Sequence, residues 1–382
     1  MQNEKILILT GNYGEGHLKS AAAIRDSLKI SHPSAEPIIL DVMELTNPYF
    51  QSISRYIFLK SVKKLPSVYG YLYRKTRPVN PFSQFLKKLN HFGLGRLLNV
   101  LETMRPSIVI STFPIAAGVM SFLKTHGLTG VPTATIITDY TVHSYWVYPL
   151  TDLYIVGSDE VKQGLLRHHI PGNQISVTGI PVRLEFSQFH DSELLKKKHN
   201  LDPSLPTVLL MGGGFGLFGE GLDRIDAFEQ AAVRFQLVIV CGRNEKLKQQ
   251  LNTKLKHSKH RIVIIGYTDY VHELMAVSDL LVTKAGGLTI SEAMTMELPM
   301  IVYKPLPGQE EDNVKYLLKS GTALHADTLQ ELVNQISECF LQPNILKSMR
   351  EKSRKSAKRR AGFDAADVIW QLRYQHVTAG MC

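Results

Sequence analysis

Two stretches in the second half of the chain carry residues suited to binding a nucleotide. The apolar run 279–283 leads into the turn Lys284-Ala285-Gly286-Gly287, and a helical pattern begins at Leu288. Paired glycines at a strand-to-helix turn let backbone N–H groups approach an anion, and the helix N-terminus adds its positive dipole end. One turn into the helix, Glu292 could reach the hydroxyl pair of a ribose. A Gly-Gly turn is also a common tight connection that binds nothing.

The second stretch follows an apolar strand pattern at 299–302. It is the stiff turn 305–308, which presents Gln309, Glu310 and Asn313 at the carboxyl edge of the predicted sheet, where open α/β folds bind ligands. With Glu292 in register, the two stretches together favour the ligand interpretation. They suit a nucleoside diphosphate that bears a polyhydroxylated group.

Near the start of the chain, His17 follows the glycine-rich loop 11–16 and begins a helical pattern. The positive end of the helix dipole disfavours the imidazolium, so the side chain would be neutral and able to accept a proton. A histidine that only caps or packs at the turn would occupy the same position. The loop alone does not separate these interpretations.

Asp139 and His143 follow another strand pattern at 133–137, which places them at the same predicted sheet edge as His17. Asp139 could orient a base or act as one, or it could cap the next element. A further loop, 212–216, offers consecutive backbone N–H groups as an anion nest, or is a structural glycine turn.

The elements that must position these residues alternate strand and helix, and both halves open with a strand followed by a glycine loop. The strand patterns lie at 5–10, 37–40, 107–111, 133–137, 153–156, 175–177, 207–211, 237–241, 262–265, 280–283 and 299–302. This alternation predicts an α/β fold with two Rossmann-like, doubly wound domains facing a central cleft. We place the domains at 1–183 and 207–382 with a linker at 184–206, the last helix being free to pack back on the first domain.

Charge is segregated along the 382 residues, whose formal net charge is +10. Residues 45–101 contain ten Lys and Arg and no Asp or Glu, and a second basic run lies at 347–360. Such segregation indicates an anionic partner, either nucleic acid or an acidic membrane surface. No run approaches the roughly 18 apolar residues of a spanning helix, and the start of the chain does not read as a signal peptide. Three scattered cysteines fit a reducing compartment.

The motifs together resemble a known family, that of the monogalactosyldiacylglycerol synthases and processive diacylglycerol glucosyltransferases. The resemblance runs over about residues 5–340. It is carried by the following motifs: GNYGEGH at 11–17, STFP at 111–114, TDY at 138–140 with His143 and Trp146, GIPV at 179–182, KAGGLTISEAM at 284–294 and KPLPGQEEDN at 304–313.

The resemblance implies a GT-B fold and an inverting transfer of a hexose from UDP-glucose or UDP-galactose to diacylglycerol. It places the donor diphosphate at Gly286 and Gly287, the ribose at Glu292, the sugar hydroxyls at Gln309 and Glu310, and a base at His17. Closure of the two domains would then bring base and donor together and exclude water.

Our predicted site has three parts. The catalytic residues are His17 and Asp139. The donor-binding residues are Gly213, Gly214, Gly266, Tyr267, Lys284, Gly286, Gly287, Leu288, Thr289, Glu292, Gln309 and Glu310. The acceptor and membrane residues are Gly14, Gly16, Lys63, Lys64, Lys87 and Lys88.

The UDP-sugar is a substrate, and we predict no cofactor and no metal, since the sequence contains no HExxH, CxxC or Asp-x-Asp motif. The expected location is cytoplasmic, peripheral at the inner face of the cell membrane. The alternatives are a sugar-nucleotide 2-epimerase, a lipid-linked N-acetylglucosaminyltransferase and a nucleic-acid-binding protein. A nucleic-acid-binding motif is absent, and an epimerase has no need of the basic, aromatic-rich span.

Overall fold

The structure, a computed structural model, describes residues 4–46, 60, 65–81, 83–84, 94–214 and 227–379. These residues form two compact units. The first contains the chain up to Leu184 and again from Arg360 onward, and the second spans Glu185–Arg359. Each unit holds one six-stranded sheet whose strands pair in parallel. The predicted α/β class with two doubly wound halves is confirmed.

The first sheet orders its strands β2-β1-β3-β4-β5-β6. They are β1 (Glu4–Thr10), β2 (Ala35–Asp41), β3 (Ile108–Ser111), β4 (Thr133–Ile136), β5 (Leu153–Ile155) and β6 (Ile175–Ser176). The order reverses between β1 and β3, and open α/β sheets bind ligands at such a switch point. Ile6 and Ile8 of β1 contribute to one core, whereas Leu7 and Leu9 contribute to another. The sheet is therefore buried on both faces.

Helices pack on both faces of this first sheet. They are α1 (Glu15–Ser31), α2 (Val42–Thr46), α3 (Pro66–Thr76), α4 (Leu94–Met104), α5 (Pro114–Thr125) and α6 (Asp159–Arg167). Short 3-10 turns at Ser144–Trp146 and Gly172–Gln174 complete the connections.

The second sheet orders its strands β12-β11-β10-β7-β8-β9, and its switch point lies between β7 and β10. The strands are β7 (Thr207–Met211), β8 (Gln236–Val240), β9 (Arg261–Ile265), β10 (Leu280–Thr283), β11 (Met300–Tyr303) and β12 (Ala323–Ala326). Alternate residues of the central strands, such as Leu210, Ile239 and Val282, share one core with residues of the helix Leu329–Leu341.

The helices of the second unit are α7 (Ser192–Lys198), α8 (Glu245–Lys254), α9 (Val271–Ala276), α10 (Gly287–Thr295), α11 (Gln309–Ser320), α12 (Leu329–Leu341) and α13 (Pro343–Ser356). The last helix, α14 (Ala361–Ala379), packs on α1 in the first unit. There His32 stacks on Trp370 with ring centroids 4.6 Å apart, and its Nε2 lies 3.0 Å from Asp367. No helix in the part of the chain that the structure describes is long and apolar enough to cross a membrane.

Candidate functional site

His17 lies in the first turn of α1, at the switch point of the first sheet. Its Nδ1 is 2.8 Å from the carbonyl oxygen of Thr112, which follows β3, and 3.1 Å from the hydroxyl of Thr138, which follows β4. A carbonyl can only accept, so Nδ1 carries the proton and Nε2 keeps its lone pair. This is the tautomer that a general base needs.

The surroundings of His17 keep its imidazole neutral. Phe113 packs edge-on with ring centroids 5.1 Å apart, and Trp146 lies at 6.0 Å. Burial lowers the pKa of His17 from 6.5 to about 4, although its hydrogen bond to the Thr112 carbonyl acts in the opposite direction. The ring is therefore neutral at physiological pH.

The other predicted residues of the first unit lie beside His17. Asp139 directly follows Thr138, three residues after the end of β4, and it is buried. Gly14 caps α1 and Gly16 is in its first turn. Gly14 has an ordinary extended backbone (φ −167°), and a Cβ there would meet no atom within 4 Å. Neither backbone conformation nor packing requires glycine at this position.

His143 has a different environment from His17. Its Nδ1 accepts a hydrogen bond from the Tyr145 amide at 3.1 Å, so Nε2 carries the proton. Nε2 donates to the Tyr73 carbonyl and to the Thr76 hydroxyl, both at 3.2 Å. The lone pair of the neutral His143 ring therefore accepts from the backbone, whereas Nε2 of His17 keeps its lone pair. His143, not Asp139, caps the next helical turn.

In the second unit, the predicted diphosphate turn joins β10 to α10 beside the switch point. Lys284 and Ala285 are buried, and Gly286 caps the helix. Gly286 has φ −62°, and a Cβ there would meet no atom within 4 Å, so its backbone lies next to open space. Gly287, Leu288 and Thr289 form the first turn of α10, whose N–H groups have no partner within the helix.

Glu292 lies on α10 one turn after Leu288, and only 4% of it is exposed. Gln309 and Glu310 begin α11, after β11. One carboxylate oxygen of Glu310 accepts from the Leu306 amide at 2.6 Å, which fixes the turn before the helix. Burial lowers the pKa of Lys284, and the nearby carboxylate of Glu310 opposes that shift.

The loops after β7, β8 and β9 meet at the same carboxyl edge. Gly213 has φ +76°, a conformation that favours glycine, and the Gly214 carbonyl accepts from the Arg243 amide at 3.0 Å. A Cβ on Gly242 would lie 2.4 Å from that carbonyl oxygen. The Arg243 guanidinium lies 4.5 Å from the ring centroid of Tyr267. A Cβ on Gly266 would lie 3.2 Å from Glu245.

The structure thus gathers His17, Asp139, Gly14 and Gly16 at one sheet edge and the twelve predicted donor residues at the edge of the other sheet. Lys63, Lys64, Lys87 and Lys88 lie outside the described residues. Between Lys64 and Lys87 in the sequence, α3 exposes Val68, Tyr71 and Leu72 by 51%, 56% and 45%, with the Lys75 ammonium 5.8 Å from the Tyr71 ring centroid.

Sequence reasoning missed the contacts that orient the predicted residues, although it had placed Asn313 at the ligand edge. Thr112 and Thr138 set the tautomer of His17, and the Asn313 amide donates to the Ala285 carbonyl at 3.0 Å. Gly242 and Arg243 also went unassigned, although they follow a predicted strand at the ligand-binding edge. Their position after that strand was the signal that could have assigned them to the site.

Comparison with known proteins divides the chain as the sheets do. Residues 17–182 match the Monogalactosyldiacylglycerol (MGDG) synthase family, and residues 207–364 match the Glycosyltransferase family 28 C-terminal domain. A processive diacylglycerol beta-glucosyltransferase of Staphylococcus carnosus (strain TM300) is 36% identical over 355 residues, which cover 92% of this chain and 88% of that protein.

Solved structures share the fold at much lower identity. MurG of Acinetobacter baumannii is 15% identical with a TM-score of 0.63, covering 96% of this chain and 99% of that one. A UDP-GlcNAc 2-epimerase from Neisseria meningitidis is also 15% identical, with a TM-score of 0.64, covering 96% of this chain and 100% of that one. The fold class is GT-B. Because a transferase and an epimerase share it, the fold alone does not decide the reaction.

Proposed function

The chain belongs to the family of monogalactosyldiacylglycerol synthases and processive diacylglycerol beta-glucosyltransferases, and we propose that it transfers glucose from UDP-glucose to diacylglycerol at a membrane surface. Glucose is preferred to galactose because the relative that is 36% identical over most of the chain is named a beta-glucosyltransferase. A beta product from an alpha-linked sugar nucleotide requires inversion, so the acceptor hydroxyl attacks the face opposite the diphosphate.

The first unit supplies the base in this proposal. Nε2 of His17 takes the proton of the diacylglycerol hydroxyl while the hydroxyl oxygen forms a bond to the anomeric carbon of the sugar. The Thr112 carbonyl holds Nδ1–H at 2.8 Å and so keeps the lone pair on Nε2. Asp139 follows Thr138, which also contacts Nδ1, and is the reserve candidate for the base.

The second unit binds the donor and stabilises the leaving diphosphate. The observation that carries the proposal is Gly286, at the N-terminus of α10 beside the switch point, with an ordinary φ and open space at its Cβ position. A phosphate approaching the backbone closely is a reason for glycine there. Glu292 takes the ribose hydroxyls, and Gln309 and Glu310 take the hydroxyls of the sugar.

We propose that no protein-held metal takes part. The positive end of α10 and the buried Lys284 would neutralise the diphosphate as the bond to the sugar breaks. Among the described ranges, no group of three or more His, Cys, Asp and Glu side chains is placed to hold a metal ion. Turnover should therefore persist after chelation of divalent cations.

The membrane surface enters through the acceptor, which scarcely leaves the bilayer. On α3, Val68, Tyr71 and Leu72 are exposed, and Arg74 and Lys75 are exposed on the same short helix. Exposed apolar residues together with basic residues suit an interface with anionic lipid. We place this contact at the inner face of the cell membrane, whose lipids are anionic.

The test is an assay of the purified chain with diacylglycerol in anionic vesicles, run in parallel with labelled UDP-glucose and UDP-galactose. We expect labelled glycolipid from UDP-glucose, with the beta configuration shown by NMR and the number of sugars given by mass spectrometry. Glycolipid from UDP-galactose alone would correct the donor. Absence of lipid product with either donor would overturn the proposal, and conversion of UDP-GlcNAc without any lipid would indicate the epimerase.

A further inference from the structure

The helix α3 has two faces with different surroundings. Val68, Tyr71 and Leu72 are exposed, whereas Gly70 and Thr76 on the same helix are buried. The exposed face is the one that the proposed function gives to lipid. The C-terminal end of the helix is hydrogen-bonded to the loop 138–146.

Hydrogen bonds from His143 and from its neighbours in the loop hold the end of α3. Nε2–H of His143 lies 3.2 Å from both the Tyr73 carbonyl and the Thr76 hydroxyl. The Thr76 hydroxyl donates to the Leu72 carbonyl at 2.8 Å, so it accepts from His143. The next residue, Ser144, donates through its hydroxyl to the Thr76 carbonyl at 2.5 Å and through its amide to the Arg77 carbonyl at 3.0 Å.

The same loop reaches the proposed base at two points. At its start, the Thr138 hydroxyl is 3.1 Å from Nδ1 of His17. At its end, the Trp146 ring lies 6.0 Å from the His17 ring. His143 is 7% exposed and sits between these two points. A continuous set of contacts therefore runs from the exposed helix α3 to His17.

We propose that His143 is a positioning residue that fixes the lipid-facing helix α3 relative to the base His17. The inference rests on the proposed function. A diacylglycerol hydroxyl stays near the plane of the membrane surface, so the base must be held at a set height above that plane. Misplacement of reacting groups by about 1 Å can lower a rate by about 100-fold. Bonds from one imidazole to the helix and to the loop supply the rigidity that this alignment needs.

The matched test is His143→Asn. An asparagine side-chain oxygen can still accept from the Tyr145 amide, as asparagine does at helix caps, but the side chain is too short to reach Tyr73 and Thr76. The loop keeps its local bond and loses its bonds to α3. With diacylglycerol in vesicles we expect turnover to fall about 10–100-fold. With a short-chain diacylglycerol dispersed in water, which needs no alignment to a surface, turnover should change little.

Three further measurements make the result decisive. UDP affinity and sedimentation with anionic vesicles should match the wild type, and the exposed control His126→Asn in the same unit should be active on both acceptors. Equal losses on the two acceptors, or no loss on either, would overturn the inference.

If His143→Asn does not fold, Thr141→Val replaces it, because it removes only the 3.0 Å bond from the Arg77 guanidinium to that loop. The same selective loss, smaller in size, is expected. A wild type that glycosylates neither acceptor would overturn the proposed function itself, a separate result.

Discussion

At the scale of single residues, two histidines at one sheet edge have opposite tautomers because their partners differ. His17 donates from Nδ1 to the Thr112 carbonyl, whereas His143 accepts at Nδ1 from the Tyr145 amide. His17 therefore keeps a free lone pair on Nε2. In His143 the lone pair, on Nδ1, already accepts a hydrogen bond from the backbone amide of Tyr145. Hydrogen bonds, and not the sequence alone, distinguish the proposed base His17 from His143.

Replacing the proposed base should affect turnover far more than donor binding. We expect His17→Ala to lower kcat about 10²–10⁴-fold, the usual contribution of a general base. UDP affinity, measured by calorimetry, should be unchanged, because the predicted nucleotide contacts lie in the second unit. His126→Ala serves as the control. Activity within a few-fold of the wild type would instead direct attention to Asp139.

The pH dependence of kcat/KM should report the same histidine. Because the pKa of His17 is lowered to about 4, the ring stays neutral and the acidic limb should appear near pH 4, not near 6.5. The folded-state pKa lies below the unfolded value, so stability is lost as the pH falls from 6.5 towards 4. Activity must therefore be assayed beside a folding control at each pH. An inflection near 6.5 in folded protein would contradict the assignment.

Glu292 offers a second prediction at this scale. Glu292 is buried, with 4% exposed, and in the proposed site its carboxylate accepts charge-assisted hydrogen bonds from the ribose hydroxyls. Losing these bonds would weaken nucleotide binding. Glu292→Ala should weaken UDP binding by about 1.5–3 kcal/mol. Gln309→Ala should leave UDP binding intact and weaken only the binding of the UDP-sugar. Unchanged UDP affinity in a folded Glu292→Ala protein would remove this residue from the site.

At the scale of elements, the turn between β10 and α10 holds an alanine in a conformation that alanine rarely adopts. Ala285 has φ +73°, and its carbonyl accepts from the buried Asn313 amide at 3.0 Å. Left-handed backbone costs a residue with a Cβ about 1–2 kcal/mol. Asn313, on α11, therefore holds the strained residue that aims the next N–H groups, those of Gly286 and Gly287.

Removing this support should loosen the turn. Asn313→Ala leaves a buried carbonyl without its amide partner, so the free energy of unfolding should fall by about 1–3 kcal/mol, and UDP affinity should fall with it. Adding Ala285→Gly should recover part of the affinity, since glycine adopts positive φ without strain. Chemical denaturation and calorimetry measure the two effects. An Asn313→Ala protein with unchanged UDP affinity would show that the turn keeps its conformation without the Asn313 hydrogen bond.

Of the twelve strands in the described residues, eleven were predicted, most of them from apolar runs, and the exception is informative. The strand β12 (Ala323–Ala326) reads Ala-Leu-His-Ala, with no β-branched residue, and pairs only with β11 at the sheet edge. Its strand conformation is imposed by that pairing, which a local pattern cannot show.

The segment 184–206, which we predicted as a linker, contains the helix α7, which the sequence analysis did not name. Polar composition suggested a connection. The signals for α7 were present, since Asp191 caps it by accepting from the Glu193 and Leu194 amides, and three lysines occupy its last turn.

Only part of the candidate site could be predicted from the sequence. Glycine turns and His17 carry local signals, whereas Thr112 lies 95 residues from the histidine that it orients.

At the scale of the whole molecule, residues 45–101, a span that belongs to the first unit, carry ten basic residues and no acidic one. Of its ten basic residues, Lys60, Arg74, Lys75, Arg77 and Arg96 lie in the described part and are exposed. Each basic residue near an anionic leaflet contributes about 1 kcal/mol. This attraction is screened over about 8–10 Å, so vesicle binding should weaken with added salt and on zwitterionic lipid.

The exposed side of α3 allows the apolar and the charged contributions to be separated. Val68→Ser, Tyr71→Ser and Leu72→Ser together should weaken sedimentation with anionic vesicles at every salt concentration, because apolar contact is not screened. Reversing Lys63, Lys64, Lys87 and Lys88 to Glu should abolish binding chiefly at low salt, where the wild type binds best. Both variants should bind UDP normally. Leu318→Ser with Leu341→Ser, exposed by 45% and 62% in the second unit, is the matched apolar control and should sediment like the wild type. If the α3 variant also sediments like the wild type, the lipid contact lies elsewhere on the molecule.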